Sequence, residues 1–332
     1  MKEARYYSVL ENKRVQCELC LNHCRIGDGQ KGYCQIRVNK TGKLWTETFN
    51  KYSSIAIDPI EKKPLYHFYP GHNILSLGSI GCNFRCKHCQ NWEISQPQRS
   101  TIIRPLEQVD PLHIVDMTIK NGLKLVAFTY NEPLINSETI FEAAKVLKAK
   151  NIKIVLVTNG FVNLEVLKDF GELIDAYSID LKAFTKSKYR ELTGVDAFET
   201  VKNNIEFLVA EKRHVELVTN LVTDINDDEK QIEEAATWIF KLNPNIPWHI
   251  SMFRPMLDYK QKTPISNTFF EKAILIAKIV GLKNVYGRYE DITQCQNCKN
   301  ILVARRGFSV LENNLDGIRC KICKQSVPCL LN

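Results

Sequence analysis

The sequence predicts an α/β protein whose main unit is a parallel β-sheet, and three observations lead to this prediction. Between residues 73 and 292, short apolar runs alternate with amphipathic stretches in six consecutive units. Such alternation is typical of strand–helix–strand units, which build parallel sheets. The apolar runs are almost continuous, as expected for strands that are covered on both faces. Cysteine-rich segments flank this region and predict a smaller part at each end of the chain.

Length, composition and charge limit the classes of function. The 332 residues are enough for more than one domain, and 44% hydrophobic with 25% charged residues is ordinary for a globular protein. The start, MKEARYYSVLENK, has no apolar core, and no run approaches the roughly 18 apolar residues of a membrane span. We therefore expect a cytoplasmic protein without a membrane partner. The net charge of +8 is spread along the chain, so it does not favour a nucleic-acid partner.

Residues 1–70 form a predicted cysteine-rich N-terminal domain, called the head below. Its four grouped cysteines are Cys17, Cys20, Cys24 and Cys34. In a chain without an export signal, such grouping indicates metal or cluster ligands rather than disulfides. Either a structural zinc ion or an auxiliary 4Fe-4S cluster fits four thiolates; the spacing does not distinguish them, and base rates favour zinc. The stretch CQIRVNKTGKLWTETF predicts a β-hairpin with turn residues at 39–42.

Residues 71–292 form the predicted sheet region. Its strands are predicted at NILSLG, KLVAFT, IKIVLVTNG, DAYSIDLK, HVELVTNLV and WHISMF. The helices that follow them are predicted near residues 110–121, 137–150, 164–170, 197–212, 227–242 and 266–282. The preceding segment DPIEKKPLYHFYPG, residues 58–71, contains three prolines and is predicted to be an extended connector.

Residues 293–332 form a predicted zinc-ribbon-like tail. Two Cys-x-x-Cys pairs, Cys295 with Cys298 and Cys320 with Cys323, bracket two alternating runs. Paired thiolates on two turns are typical of a tetrahedral zinc site, which stabilises a module too small for a core of its own. Between the pairs, Arg305 and Arg306 are predicted to lie on a solvated face, with contact to an acidic partner as the alternative. Cys329 stands alone and is interpreted as a free thiol.

The most informative stretch is SIGCNFRCKHCQNW, which follows the first predicted strand. Cys82, Cys86 and Cys89 lie in it, and no fourth cysteine follows before Cys295. Three thiolates at this spacing can hold one 4Fe-4S cluster and leave one iron open for a substrate or cofactor. The alternative is a zinc site completed by His88 or His72, although structural zinc ligands are usually paired along the chain.

This stretch resembles the signature of the radical SAM superfamily, Cys-x3-Cys-x-aromatic-Cys, with His88 in the aromatic position. The resemblance implies a partial (βα)6 TIM-type barrel. It also implies that the open iron binds S-adenosylmethionine. In that family the reduced cluster cleaves S-adenosylmethionine to methionine and a 5'-deoxyadenosyl radical, which abstracts hydrogen from a substrate. A reductant such as flavodoxin or ferredoxin is implied as well.

Polar residues follow the predicted strands, where barrel enzymes place their functional groups. The segment TYNEP stands in the place of the family's Gly-Gly-Glu-Pro segment, with Tyr130 and Asn131 replacing the glycines. TNG and DLK follow the next two strands, and DLK matches the activating-enzyme branch. The implied cofactor-binding residues are His88, Asn131, Glu132, Asn159, Asp180, Lys182, Asn220 and His249.

Within the superfamily the chain is most similar to the AmmeMemoRadiSam system radical SAM enzymes, relatives of pyruvate formate-lyase activating enzyme. The segments CELCLNHCRIGDGQKGYCQIRV, GCNFRCKHCQNWEISQ, AFTYNEP and SIDLKAF carry this resemblance. It implies Memo-type and AMMECR-type partner proteins and leaves the substrate, a protein, a peptide or a metabolite, open. Two alternatives are a glycyl-radical enzyme activating enzyme and, in another class, a non-catalytic module that binds several zinc ions.

Overall fold

The computed structural model describes residues 1–101 and 105–327. Cys329, interpreted above as a free thiol, lies outside the described residues. Within the described residues, no helix is both long enough and apolar enough to span a membrane.

The predicted parallel sheet forms the centre of the molecule. The eight strands of this sheet are β8 (Ser54–Pro59), β9 (Asn73–Gly78), β11 (Leu125–Phe128), β12 (Lys153–Thr158), β13 (Ala176–Asp180), β14 (His214–Leu221), β15 (Trp248–Met252) and β16 (Val285–Tyr286). Their order across the sheet is β16-β15-β14-β13-β12-β11-β9-β8, and all neighbours are parallel except β8 and β9. The mixed α/β class and the parallel sheet are thus confirmed.

The two edge strands were not part of the predicted set. The first, β8, reads SIAIDP; it ends at Pro59, a residue that sheets tolerate at an edge. The last, β16, has only two residues and is too short for a periodic signal. Because they lie at opposite edges, neither changes the order of the six predicted strands.

The helices pack beside the sheet strands that they connect. Their bounds are α1 (Trp92–Ser95), α2 (Pro111–Lys120), α3 (Ser137–Ala149), α4 (Leu164–Phe170), α5 (Lys186–Thr193), α6 (Phe198–Ala210), α7 (Glu229–Leu242) and α8 (Asn267–Val280). Asp110 and Asp228 cap α2 and α7 with their carboxylates, so the starts of these two helices agree with the sequence. The charged helix α5 was not predicted, because Tyr189 and Leu192 are the only apolar residues among its eight and give too weak a helical pattern.

The head consists of short antiparallel strands in small sheets. They are β1 (Lys2–Glu3), β2 (Tyr7–Val9), β3 (Val15–Cys17), β4 (Arg25–Ile26), β5 (Arg37–Lys40), β6 (Lys43–Thr46) and β7 (Lys51–Tyr52), and β7 pairs with β10 (Glu107–Gln108). The predicted hairpin is confirmed, since β5 pairs with β6 around a turn at residues 41–42. Arg37 attaches the head to α3: its guanidinium lies 2.7 Å from Glu138, and both side chains are buried.

The predicted connector is packed rather than loosely extended. Ile60, Leu65 and Phe68 are buried in a cluster with Leu125 and Val155 of the sheet. Pro59 pairs with Asn73 at the first residue of β9, so the connector lies at the amino end of that strand. The connector therefore lies at the amino ends of the strands, whereas the cysteine loop begins at their carboxyl ends.

The tail contains β17 (Glu290–Gln294), β18 (Ile301–Arg306), β19 (Ser309–Asn313), β20 (Leu315–Asp316) and β21 (Arg319–Cys320). Arg306 is 54% exposed, as predicted, but the prediction of a solvated face is wrong for Arg305. Its guanidinium is buried and donates to the Tyr66 carbonyl at 2.7 Å and to Thr293 Oγ1 at 2.9 Å. Since Tyr66 belongs to the connector, Arg305 attaches the tail to the connector, which in turn packs against the sheet.

Candidate functional site

The cysteine loop begins where β9 ends, at the carboxyl edge of the sheet. Gly81 has a φ of +86°, which favours glycine, and a Cβ built there would lie 2.5 Å from the Cys34 carbonyl oxygen of the head. Asn131, which follows β11, accepts from the Ser79 amide at 2.9 Å and donates to the Gly81 carbonyl at 2.9 Å. The loop is therefore held between the head and the end of the neighbouring strand.

Cys82, Cys86 and Cys89 are buried or half-buried in this loop. Burial raises the pKa of all three thiols, and each thiol's pKa is also raised by at least one of the others or by nearby carboxylates. For Cys86 the net pKa is about 12, although the Lys182 ammonium opposes the increase. Cys82 Sγ accepts from the Phe84 amide at 3.3 Å and lies 3.8 Å from Asn159 Nδ2. Such buried thiols become thiolates when a metal or cluster replaces their protons.

The zinc alternative does not fit this loop. A tetrahedral site with Zn–S bonds of about 2.3 Å requires sulfur atoms about 3.8 Å apart. Among the described residues, the group of three or more His, Cys, Asp or Glu ligand atoms that all lie within 4.8 Å of one another is Cys295, Cys298, Cys320 and Cys323 in the tail. His72 precedes β9 whereas the cysteines follow it, and the strand's six residues separate its ends by about 20 Å. Within the described part of the chain, the three thiolates lack the close fourth ligand of a tetrahedral zinc site. Three soft thiolates of this kind fit a four-iron cluster.

His88 lies within the loop and is buried. Burial and the Lys182 charge lower the pKa of its imidazole to about 3, so the ring is neutral. Its Nδ1 has no hydrogen-bond partner among the described atoms.

Glu132 connects the ends of β11 and β12. One carboxylate oxygen accepts from the Leu134 amide at 3.0 Å and from Thr158 Oγ1 at 2.7 Å, and the other accepts from the Asn159 amide at 2.8 Å. Burial raises the pKa of this carboxyl to about 7 despite these donors. Tyr130 has a φ of +71°, the left-handed conformation that glycine adopts most readily.

Asp180 and Lys182 form an ion pair at the end of β13. Lys182 Nζ lies 2.9 Å from Asp180 Oδ2, and the lysine side chain is 15% exposed whereas the aspartate is 32% exposed. Burial lowers the pKa of Lys182, but Asp180 and the Cys86 thiolate raise it more, so the net pKa lies above its usual value. A fixed ammonium therefore stands beside the cysteine loop, with a carboxylate that is partly open to solvent.

Asn220 lies on the same face of the sheet as Asp180. Asp180 is in register with Val218, two residues before Asn220, and alternate residues of a strand share a face. Asn220 Oδ1 accepts from Ser251 Oγ on β15. The structure thus brings Asn220 to the carboxyl edge together with Ser251, which was not predicted.

His249 is not brought to the cysteine loop. It is the second residue of β15, and its Nε2 lies 2.7 Å from Glu216 Oε2. Glu216 is fully buried and accepts from the amides of Tyr66 and His67 in the connector. The strand-end prediction for His249 is therefore corrected: β15 continues to Met252, so Ser251 reaches the edge and His249 helps to attach the connector.

Asn83 and Arg85 carry no sequence signal of their own, apart from their place between the cysteines. Asn83 Nδ2 donates to the Phe161 carbonyl at 2.7 Å, and its Oδ1 accepts from Asn159 Nδ2 at 2.8 Å. Arg85 donates to the carbonyls of Cys82 and Phe84, each at 2.8 Å. Both side chains therefore fix the path of the loop that carries the thiols.

The tail cysteines form a compact group that can hold a metal ion. Cys295 and Cys323 lie 3.6 Å apart, and Cys298 and Cys320 lie 3.7 Å apart, measured between their Sγ atoms. These separations match the edge of a tetrahedron of thiolates around one ion, about 3.8 Å.

Comparison with known proteins relates the sequence of the chain to one superfamily. The sequence model of the radical SAM superfamily matches residues 77–239. An uncharacterized protein of Methanocaldococcus jannaschii is 35% identical over 345 residues, which cover 100% of both chains. A probable GTP 3',8-cyclase of Thermococcus kodakarensis is 28% identical over 158 residues, 47% of this chain and 50% of that protein.

Among solved structures, a radical SAM methyltransferase from Sphaerobacter thermophilus has a similar fold. The TM-score is 0.52 at 16% sequence identity, and the match covers 67% of this chain and 68% of that chain. At this identity the similarity concerns the fold alone.

Proposed function

This chain belongs to the radical SAM superfamily, and from that membership we propose that it is an enzyme that removes hydrogen from its substrate with a 4Fe-4S cluster and S-adenosylmethionine. The observation that carries the proposal is the group of three thiols, Cys82, Cys86 and Cys89, which share one loop with no fourth cysteine. When bound, a reduced cluster at these thiolates supplies the electron that cleaves S-adenosylmethionine to methionine and the 5'-deoxyadenosyl radical.

We divide the surrounding residues by their contacts. Asn131 and Glu132 are positioning residues, because their polar atoms already hold the loop and the two strand ends together. The residues proposed to line the S-adenosylmethionine site are His88, Asn159, Asp180, Lys182 and Asn220. Of these, the Asp180 carboxylate is exposed enough to accept hydrogen bonds from a ribose, and Lys182 offers a cation for a carboxylate.

The remaining finer proposals concern architecture and metals. We interpret the open sheet as a partial (βα)6 barrel, with the head at residues 1–70, the catalytic core at 71–292 and the tail at 293–332. Zinc is the proposed ion of the tail, because closed four-thiolate sites with paired ligands are characteristic of structural zinc. The sulfur separations there support it.

The proposed context is the AmmeMemoRadiSam system. The quoted head, loop and strand-end segments are the observations that support it. Memo-type and AMMECR-type proteins are then the proposed partners, and a flavodoxin or ferredoxin is the proposed reductant. Co-purification of the tagged chain from its native host, followed by mass spectrometry, tests these partners.

The first prediction concerns S-adenosylmethionine cleavage. Protein reconstituted anaerobically with iron and sulfide, then reduced with titanium(III) citrate, is expected to form 5'-deoxyadenosine, measured by liquid chromatography and mass spectrometry. In Cys86→Ala the rate should fall more than about 100-fold, since even changes beyond the ligands cost about 10–100-fold at metal centres.

The matched control is Cys329→Ala, which removes a cysteine that belongs to none of the three groups. Its rate should equal that of the wild type. No 5'-deoxyadenosine from the wild type, or an undiminished rate in Cys86→Ala, contradicts the proposed function.

A further inference from the structure

The head cysteines differ in geometry from those of the tail. Cys17 ends β3, Cys20 and Cys24 lie in the turn that leads to β4, and Cys34 precedes β5. The Cys17 amide donates to the Cys24 carbonyl at 2.9 Å, and Cys24 Sγ accepts from the amide of Tyr33, the neighbour of Cys34, at 3.3 Å. The four thiols thus come from segments in direct contact.

These thiols are not arranged around a single ion. Within residues 1–101 and 105–327, the compact group of ligand atoms within 4.8 Å of one another is the tail group, and the head thiols are not among them. The tail shows how closely this fold brings thiols together for one ion, with separations of 3.6 and 3.7 Å. In a four-iron cluster each thiolate binds a different iron, so the sulfur atoms stand further apart. Among the described residues, neither the four head cysteines nor Cys82, Cys86 and Cys89 include three ligand sulfur atoms within 4.8 Å of one another, so both groups lack the close spacing of a single-ion site.

The head group lies directly against the cysteine loop, and three contacts join them. The Cys34 carbonyl oxygen occupies the space where a Gly81 side chain would begin, 2.5 Å from the Cβ position. Asn22, between two head cysteines, donates to the Asn83 carbonyl at 3.1 Å. Arg85, between Cys82 and Cys86, donates to the Tyr33 carbonyl, and its guanidinium lies 4.1 Å from the centre of the Tyr33 ring.

Arg85 connects the head cysteines with the cysteine loop, because it and its hydrogen-bond acceptor are each bonded directly to a cysteine residue. It follows Asn83 and Phe84 after Cys82 and directly precedes Cys86, while its acceptor Tyr33 directly precedes Cys34. The path from one thiol group to the other therefore crosses one hydrogen bond, with no intervening helix or strand. Short paths through bonded atoms and hydrogen bonds are suited to the passage of single electrons.

We propose that Cys17, Cys20, Cys24 and Cys34 hold a second 4Fe-4S cluster, which passes electrons to the cluster at Cys82, Cys86 and Cys89. A low-potential one-electron donor protein of the flavodoxin or ferredoxin class reduces the head cluster. The head cluster then gives one electron to the cluster at Cys82, Cys86 and Cys89 and returns to its oxidised state. No covalent bond forms or breaks in this transfer. The metal site is independent of the proposed function, whereas the electron transfer depends on it.

The site is tested in the variant Cys82→Ala/Cys86→Ala/Cys89→Ala, reconstituted anaerobically as the full chain. We expect about four irons and four sulfides per chain with a cluster signal in low-temperature electron paramagnetic resonance after reduction. Bound zinc in the head in place of iron, measured as two zinc ions and no iron per chain, overturns the proposal. The same metal count on wild-type protein as purified, expected to approach about eight irons, covers the case in which the variant fails to fold. Four irons or fewer there also overturns it.

The electron path is tested with two reductants in Cys24→Ala/Cys34→Ala. The measured quantity is the rate of 5'-deoxyadenosine formation with reduced flavodoxin divided by the rate with titanium(III) citrate, a small reductant that needs no relay. We expect this ratio to fall at least about tenfold relative to wild type, as for other changes near a metal centre. An unchanged ratio overturns the relay. If the wild type forms no product with either reductant, the proposed function is contradicted instead. The proposed head cluster is then judged by the iron content alone.

Discussion

Gly81 is the residue on which the candidate site depends most closely. Its φ of +86° and the nearby Cys34 carbonyl oxygen exclude any side chain for two separate reasons. Gly122 has a φ of +66°, with nothing within 4 Å of the point where its Cβ would lie. The two glycines thus separate backbone strain from steric overlap.

We therefore predict different costs for the two alanine substitutions. Gly122→Ala should lower the free energy of unfolding by about 1–2 kcal/mol, the cost of a left-handed backbone for an L-residue. Gly81→Ala adds overpacking, typically about 1–3 kcal/mol, and should therefore cost about 2–5 kcal/mol in total. Urea denaturation of the two variants measures both values.

Iron content gives the second measurement for Gly81→Ala. Because the head and the cysteine loop meet at this residue, the variant should bind less iron than Gly122→Ala at equal folded fraction. Equal unfolding free energies and equal iron contents would show that the close approach at Gly81 is unimportant.

At the scale of elements, the head is attached to α3 by ion pairs of two kinds. Arg37 and Glu138 are 1% and 2% exposed, and Arg37 also donates to the Ile135 carbonyl at 3.2 Å. Lys2 and Glu142 bridge the same two elements at 2.5 Å, but they are 47% and 41% exposed. Water screens the second pair, whereas the first pair is desolvated on both sides.

Breaking these pairs should therefore have unequal effects. Arg37→Met leaves the Glu138 carboxylate buried without its partner and should lower the free energy of unfolding by about 3–5 kcal/mol. Lys2→Met should cost less than about 1 kcal/mol. Chemical denaturation, followed by tryptophan fluorescence, measures both.

The double variant Arg37→Met/Glu138→Met completes the cycle. It removes both charges and should recover most of the loss seen in Arg37→Met, because apolar residues of similar volume can replace a buried pair. A double variant no more stable than Arg37→Met would mean that the other hydrogen bonds of Arg37, rather than the pair, hold the head.

At the scale of the whole molecule, buried charges attach both outer parts to the sheet region. The tail has a small apolar cluster that includes Leu302, Val303 and Leu315. Arg305 extends from this module and pairs with Glu61 of the connector at 3.4 Å, where both side chains are buried. Modules of this size commonly depend on a bound metal for stability. Loss of the proposed ion should therefore loosen the connector as well as the tail.

We predict this coupling for Cys320→Ser. The variant should lose one bound metal ion per chain, and amide hydrogen exchange should become faster at residues 290–327 and also at 60–71. Cys329→Ser is the control and should keep the metal and the wild-type exchange. If exchange becomes faster in the tail alone, the contacts of Arg305 do not couple the stability of the connector to that of the tail.

The sequence alone determined the α/β class, the order of six strands and the cysteine loop that identifies the superfamily. These features depend on local information: apolar periodicity, capping aspartates such as Asp228, and ligand spacing within eight residues of chain. The strand-end residues Asn131, Glu132 and Asp180 could be placed for the same reason, since parallel strands end at a common edge. Their roles toward S-adenosylmethionine remain proposals.

The tertiary structure alone decided which distant side chains meet. In sequence, His249 and Arg305 resemble residues at the sheet edge or in solvent, yet Glu216 and the connector bury them. The approach of Cys34 to Gly81 joins segments 47 residues apart, a separation for which no local pattern exists. The spacing of four thiols likewise depends on backbone geometry rather than on the residues between them, so only the folded chain separates a compact metal group from a wider one.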